Sequence, residues 1–198
     1  ADYLRFVISE YGPQASFEEL WTIILNNYDG YRFMVNGTPL FNSTILTYFL
    51  KNFAELAGGI PDEMVDENLR TDVSWIRRLT ISLENAKQML DTLLIDGEMV
   101  YSQSDFRSKF NKQRFFSPEF YPISLFYLGM TTLKDNFYMT LPNLTTRSIY
   151  VNYYNELNKI SDKAQWFVPA YRTFVDNRQF EPLFYNYVEK YLGQFPAQ

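Results

Sequence analysis

The chain has 198 residues, of which 46% are hydrophobic and 19% aromatic, and its net charge is −5. That is enough apolar material to bury a core and offset the ordering entropy, which excludes a disordered chain. The acidic balance argues against sequence-blind phosphate binding as the main role, because that mode needs a basic surface.

Taken in chain order, residues 2–11 predict a short helix that ends at Gly12-Pro13. Ser16-Phe-Glu-Glu starts a second helix, with acids in the first turn where the helix dipole favours them. Phe17, Leu20 and Ile24, with the neighbouring Trp21, form its apolar face. YDGYRFMVNGTPLFN, residues 28–42, then interrupts the helical pattern. Asp29-Gly30 reads as a turn, and Tyr31–Val35 is expected to pair with Pro39–Phe41 across Asn36-Gly37 as a hairpin. Asn42 and Ser43 cap a helix over about 44–57 that stops at Gly58-Gly59.

PDEMVDENLRTD, residues 61–72, reads as an acidic connector. A long helix is predicted from Val73 to Ile95, with Ile76, Leu79, Leu83, Ala86, Leu90 and Leu93 at helical spacing. Glu98–Ser102 is a short extended piece. SDFRSKFNKQRFF, 104–116, is basic with interleaved Phe, and reads as a half-buried strand or loop. Ser117-Pro118-Glu119 starts a helix, with Pro in its first turn, that runs to Leu128 and Gly129. MTTLK and FYMTLP alternate as two strands around Asp135-Asn136. Asn143 caps a helix over about 144–158, and two more fit 162–177 and 180–192. The fold class is therefore mainly α with short β-hairpins. From residue 84 to 141 the order is helix, short strand, helix, two-stranded hairpin, which is the order of a winged-helix module.

The chemistry this sequence lacks narrows its function. It has no His and no Cys, so no Ser-His or Cys-His nucleophile pair can form, disulfides are excluded, and zinc and copper sites are disfavoured. No Lys follows a Gly, as a phosphate-cradling Walker A loop requires. No Lys has an acid two residues before it, the spacing of many metal-dependent nuclease cores. No residue is assigned a catalytic or metal-binding role. Asp62, Glu63, Asp66 and Glu67 could face a hard cation, but read better as a solvated connector. Arg107, Lys109, Lys112 and Arg114, with Lys134 on the hairpin, are the candidates for nucleic-acid contact. No apolar run approaches the roughly 18 residues of a membrane span. ADYLRF has neither a basic nor an apolar signal region, so a cytoplasmic chain without membrane contact is expected. The glycosylation patterns at Asn36, Asn42 and Asn143 then read as chance matches.

Three stretches together resemble a bacterial family: the AAA-ATPase-like proteins with a C-terminal PD-(D/E)XK nuclease-like domain. YDGYRF at 28–33 followed by LFNSTILTYFLKNF at 40–53 is similar to the family's Tyr-Asp-Gly-Tyr-x-Phe, Tyr-Asn-Pro and Leu/Phe-rich helix. PDEMVDENLRTD resembles its following acidic segment. SLFYLGMTTLKDNFYMTLPNLTTRS at 124–148 resembles its Gly-Tyr-Leu-Thr-Ile hairpin, which closes in Pro-Asn and an Arg. Ser43 stands where the family has Pro, Met130 where it has Tyr, and Thr145-Thr146 replaces an acidic-aliphatic pair. The match covers roughly residues 10–150.

In that family the P-loop lies upstream of Tyr-Asp-Gly-Tyr and the nuclease-like motif lies further downstream. The resemblance therefore implies a middle piece: 1–72 as the end of the ATPase-like module, 73–142 as the winged-helix-like module and 143–198 as a helical connector. It implies a non-catalytic lid and coupling role, with no cofactor of its own and ATP bound by the parent protein. Tyr28, Asp29, Tyr31, Arg32 and Asn42 would form the junction to the nucleotide-binding core, and Asn143 and Arg147 would face a neighbouring domain. The implied partners are the upstream core and the downstream domain. The apolar surface left by the core could also pair two copies. The alternative is a winged-helix module that binds nucleic acid or protein. Its reading helix, SPEFYPISLFYLG, is poor in the Arg, Lys, Asn and Gln that read base edges.

Overall fold

The computed structural model describes residues 2–11, 15–65, 86–108, 113–160 and 168–195. The chain divides into two compact units, Ala1–Tyr150 and Val151–Gln198. It is mainly helical with one small antiparallel sheet, as the sequence predicts.

Three helices build the first core. α1 (Asp2–Tyr11) turns Leu4 and Val7 inward. α2 (Phe17–Tyr28) opens with a capping box: Ser16 Oγ accepts from the Glu19 amide, and the Glu19 carboxylate accepts from the Ser16 amide. Two otherwise orphaned donors are satisfied, which fixes where the helix begins. α3 (Ser43–Glu55) is capped by Asn42, whose side-chain oxygen accepts from the amides of Thr44 and Ile45. Leu20, Ile24, Tyr28, Phe49 and Phe53 meet in the core, each at most 2% exposed. Each such side chain contributes roughly 1.5–3 kcal/mol by leaving water.

The second core lies against the sheet. After α4 (Ala86–Ile95) come β1 (Glu98–Val100), α5 (Gln103–Arg107), the 3₁₀ turns Arg114–Phe116 and Pro118–Phe120, and α6 (Tyr121–Tyr127). β2 (Thr132–Leu133) and β3 (Tyr138–Thr140) follow. The sheet order is β1-β3-β2, with Met99 opposite Met139 and Leu133 opposite Met139 on the other side. The turn between β2 and β3 is tied by the Asp135 carboxylate, which accepts from the amides of Phe137 and Tyr138. That is the local bonding that makes Asp-Asn a turn signal. Tyr101, Phe120, Ile123, Leu133 and Met139 form the cluster, with Phe106 and Phe126 packed on it.

α7 (Leu144–Leu157) follows, started by Asn143, whose Oδ1 accepts from the Thr146 amide. The second unit holds α8 (Val168–Asn177) and α9 (Glu181–Asn186), continued by a π-helical turn, Tyr187–Tyr191.

Several elements depart from the sequence reading. The hairpin expected over 31–41 is one isolated bridge, Tyr31 with Leu40. Pro39 has no amide to donate, which limits a ladder there. Asn36 alone takes the left-handed conformation, at φ 61°. The Gly37 amide closes a tight turn on the Met34 carbonyl at 2.9 Å. The start of the basic stretch is a helix, α5, rather than a strand or loop, because Ser102 caps it by accepting from the Asp105 amide. α6 begins later than Ser117-Pro118 suggests, because a 3₁₀ turn precedes it. Of the long helix predicted over 73–95, only α4 falls among the described residues. Residues 66–72 with Asp66 and Glu67, Lys109 and Lys112, and the first turns of the predicted 162–177 helix lie outside them.

Candidate functional site

The stretch that breaks the helical pattern joins the first core to the sheet. α2 ends at Asp29 in extended conformation, and Gly30 follows at φ 99°. A Cβ on Gly30 would sit 2.0 Å from the carbonyl oxygen of Pro142. Only glycine permits both this backbone conformation and this approach. Beside that contact, Asn143 Nδ2 donates to the Asp29 carbonyl at 2.9 Å. One asparagine thus starts α7 and holds the end of α2.

The next residues bond in register to the sheet. The Arg32 amide donates to Thr132 Oγ1, and the Arg32 carbonyl accepts from the Leu133 amide at 3.4 Å. The Arg32 backbone therefore covers the edge of β2, which would otherwise present unpaired groups. Tyr31, 5% exposed, places its hydroxyl 3.3 Å from Thr146 Oγ1. Gly129, at φ 70°, turns the chain out of α6 beside the Tyr31 ring.

The five junction candidates fall into two groups. Tyr28 is fully buried, its hydroxyl donating to the Met64 carbonyl at 3.0 Å and its ring 5.5 Å from Phe49. Burial raises the Tyr28 phenol well above its ordinary range, so it remains neutral and cannot act as a base. Tyr31 and Asn42 are likewise committed, to Thr146 and to the start of α3. Asp29 and Arg32 differ. Their backbones are bonded, but Asp29 Oδ1 is buried with no hydrogen-bond partner among the described residues. The Arg32 guanidinium makes no hydrogen bond or ion pair among them either.

Directly beyond Arg32 the chain turns outward. Phe33, Met34 and Leu40 are 60%, 69% and 51% exposed. Phe33 is not loose, because its ring meets Phe126 edge-on at 6.0 Å. The segment thus presents an apolar tip on a fixed base. Arg147 lies on α7 and lines a groove with Leu25, Asn26, Gly97, Thr140 and Pro142. Its guanidinium donates to the Leu94 carbonyl at 3.4 Å.

Of the nucleic-acid candidates, Arg107, Arg114 and Lys134 lie among the described residues, and Arg114 and Lys134 are each paired with an acid. Arg114 pairs with Asp105 and lies over the Phe120 ring at 5.2 Å. The Arg114 guanidinium, with Ser102, holds the Asp105 carboxyl below its usual range. Lys134 is bonded to Glu98, which raises the lysine's pKa. Arg107 is exposed. In the helix that would read a groove, α6, every residue from Tyr121 to Leu125 is buried. Among the described residues, no group of three or more acidic, His or Cys side chains could hold a metal, and no helix is long and apolar enough to cross a membrane.

The sequence did not reveal the partners across the seam. Thr132, Pro142 and Thr146 lie roughly a hundred residues from their contacts. Their one local signal is that Thr131-Thr132 and Thr145-Thr146 are polar pairs, all at most 2% exposed. No family model matches the chain, and neither a curated protein nor a solved structure matches it.

Proposed function

We propose that this chain is a non-catalytic lid and coupling piece of an AAA-ATPase-like protein, linking a nucleotide-binding core to a downstream nuclease-like domain. The observation that carries the reading is the division within one short segment. Tyr28, Tyr31 and Asn42 anchor the segment internally, while the Asp29 carboxylate and Arg32 guanidinium keep capacity for contacts beside an exposed apolar tip. A surface seated this firmly can pass a displacement on rather than absorb it, as a nucleotide-biased interface requires.

The winged-helix reading of residues 84–141 is supported by the element order and by a sheet in which β1 joins the outer side of the β2–β3 hairpin. The burial of α6 favours a winged helix that packs on protein over one that reads a groove. ATP belongs to the parent's core, the partners are that core and the downstream domain, and the setting is the cytoplasm.

The test is limited proteolysis of the natural full-length protein. Its reading frame should carry a P-loop before this segment, and ATP should slow cleavage within residues 33–40. A parent that binds ATP and is cleaved there equally with and without it would overturn the proposal.

A further inference from the structure

The tight turn at Met34–Gly37 carries a reactive pair of residues. Asn36 is the only asparagine in the chain that is followed by glycine. Glycine has no side chain to shield its amide nitrogen, so the Gly37 nitrogen can approach the Asn36 side chain closely. Elsewhere the fold occupies the asparagine side chains. Asn27 and Asn52 donate to the Ile23 and Tyr48 carbonyls one turn back, Asn42 and Asn143 cap helices, and Asn136 accepts from Gln103. Asn36 is exposed, and its side chain makes no hydrogen bond among the described residues. The Gly37 amide is held by one bond, to the Met34 carbonyl at 2.9 Å. Opening a single bond of this kind slows a reaction at the amide by about tenfold at most. Asp29-Gly30 is the opposite case. Gly30 lies against the Pro142 carbonyl and Asn143 donates to the Asp29 carbonyl, so that backbone cannot turn without opening the seam.

From this contrast we propose that Asn36 is a site of spontaneous covalent modification in the folded chain, a deamidation through a cyclic imide. The Gly37 nitrogen bonds to the side-chain carbonyl carbon of Asn36 and gives up its proton. The carbon–nitrogen bond of the side-chain amide breaks, and the nitrogen takes up a proton and leaves as ammonia. Water then opens the ring at either of its two carbonyl carbons. One opening yields aspartate at position 36. The other yields isoaspartate, in which the main chain runs through the former side chain. No oxidant, reductant or partner is consumed beyond water. The product places a carboxylate at the apex of the turn, between Met34 and Leu40, which are 69% and 51% exposed. An apolar surface that covers the native turn would then have to bury a charge, which is costly. The inference stands apart from the lid reading, because the chemistry needs only the turn itself.

The test is peptide mass spectrometry of the folded 198-residue chain, incubated at neutral and at mildly alkaline pH beside the same chain unfolded in guanidinium chloride. Asn36 should change from amide to acid ahead of every other asparagine, and faster at the higher pH, because the attacking amide must lose its proton. Isoaspartate should be found at that position. The folded rate should lie within about tenfold of the unfolded rate, since one turn bond is all that must open. Asn36→Gln, whose longer side chain must close a larger ring, should lose the conversion without a change in the circular dichroism spectrum. A folded chain in which Asn36 stays an amide while Asn136 or Asn143 converts would overturn the proposal. So would a folded rate below that tenfold window, which would mean that the turn shields the amide.

Discussion

Tyr28–Arg32 and Phe33–Leu40 are consecutive in the chain and opposite in character. The first segment spends its backbone groups, its two tyrosines and its glycine on internal contacts. The second makes one bridge and one tight turn and leaves its large apolar side chains in water. A glycine does not distinguish them, since each segment carries one. What separates them is whether a distant element supplies partners. The first segment is a fixed base, and the second carries the exposed apolar side chains.

Substitutions should separate the two segments by their effect on stability. Gly30→Ala should be the most damaging, because its Cβ would collide with the Pro142 carbonyl in a left-handed backbone. A loss of about 3 kcal/mol or more is expected in urea unfolding. A loss below about 1 kcal/mol would mean the seam yields easily. Asn143→Ala removes the start of α7 and the bond to the Asp29 carbonyl. About 2 kcal/mol is expected from the same measurement. Tyr28→Phe leaves the ring packing but removes the hydroxyl's bond to Met64, and should cost about 1 kcal/mol.

On the outward segment the sign of the contrast reverses. Phe33→Ser with Met34→Ser should change stability by only about 0.5 kcal/mol, yet abolish ATP-dependent protection of residues 33–40 in the full-length protein. If the pair is as costly as Tyr28→Phe, the tip is part of the fold rather than a contact surface.

The smallest effect concerns the basic stretch. Asp105 is held below its usual range by Arg114 and Ser102. Its contribution is therefore present above the unfolded carboxylate pKa and fades as pH falls through the lower folded value. Asp105→Asn should flatten that acidic limb of a stability-against-pH curve by slightly lowering the neutral plateau while leaving the stability at low pH nearly unchanged. An unchanged acidic limb would show that the pair with Arg114 is inert.

Much of the fold was legible where the signal was local. Ser16, Asn42 and Asn143 mark helix starts because a side-chain oxygen takes an orphaned amide within three residues. Asp135 marks the β2–β3 turn in the same way. The 31–41 segment forms one bridge rather than the expected hairpin ladder because Pro39 has no amide to donate and the Arg32 backbone bonds to Thr132 and Leu133 instead. α5 starts where the sequence reading ends a short extended piece, because the Ser102 hydroxyl accepts from the Asp105 amide and so caps a helix there. At the candidate site, the sequence pointed to the 28–42 segment and to Asp29 and Arg32, whose side chains make no hydrogen bond among the described residues. It could not offer Pro142, Thr132 or Thr146, which reach the segment only through the fold.

The most direct test of the lid reading is amide hydrogen exchange on the natural full-length protein, with and without ATP. Residues 28–32 should be protected in both states, and residues 33–40 should become slower only when ATP is bound. Equal exchange over 33–40 in both states, in a protein shown to bind ATP, would contradict the account.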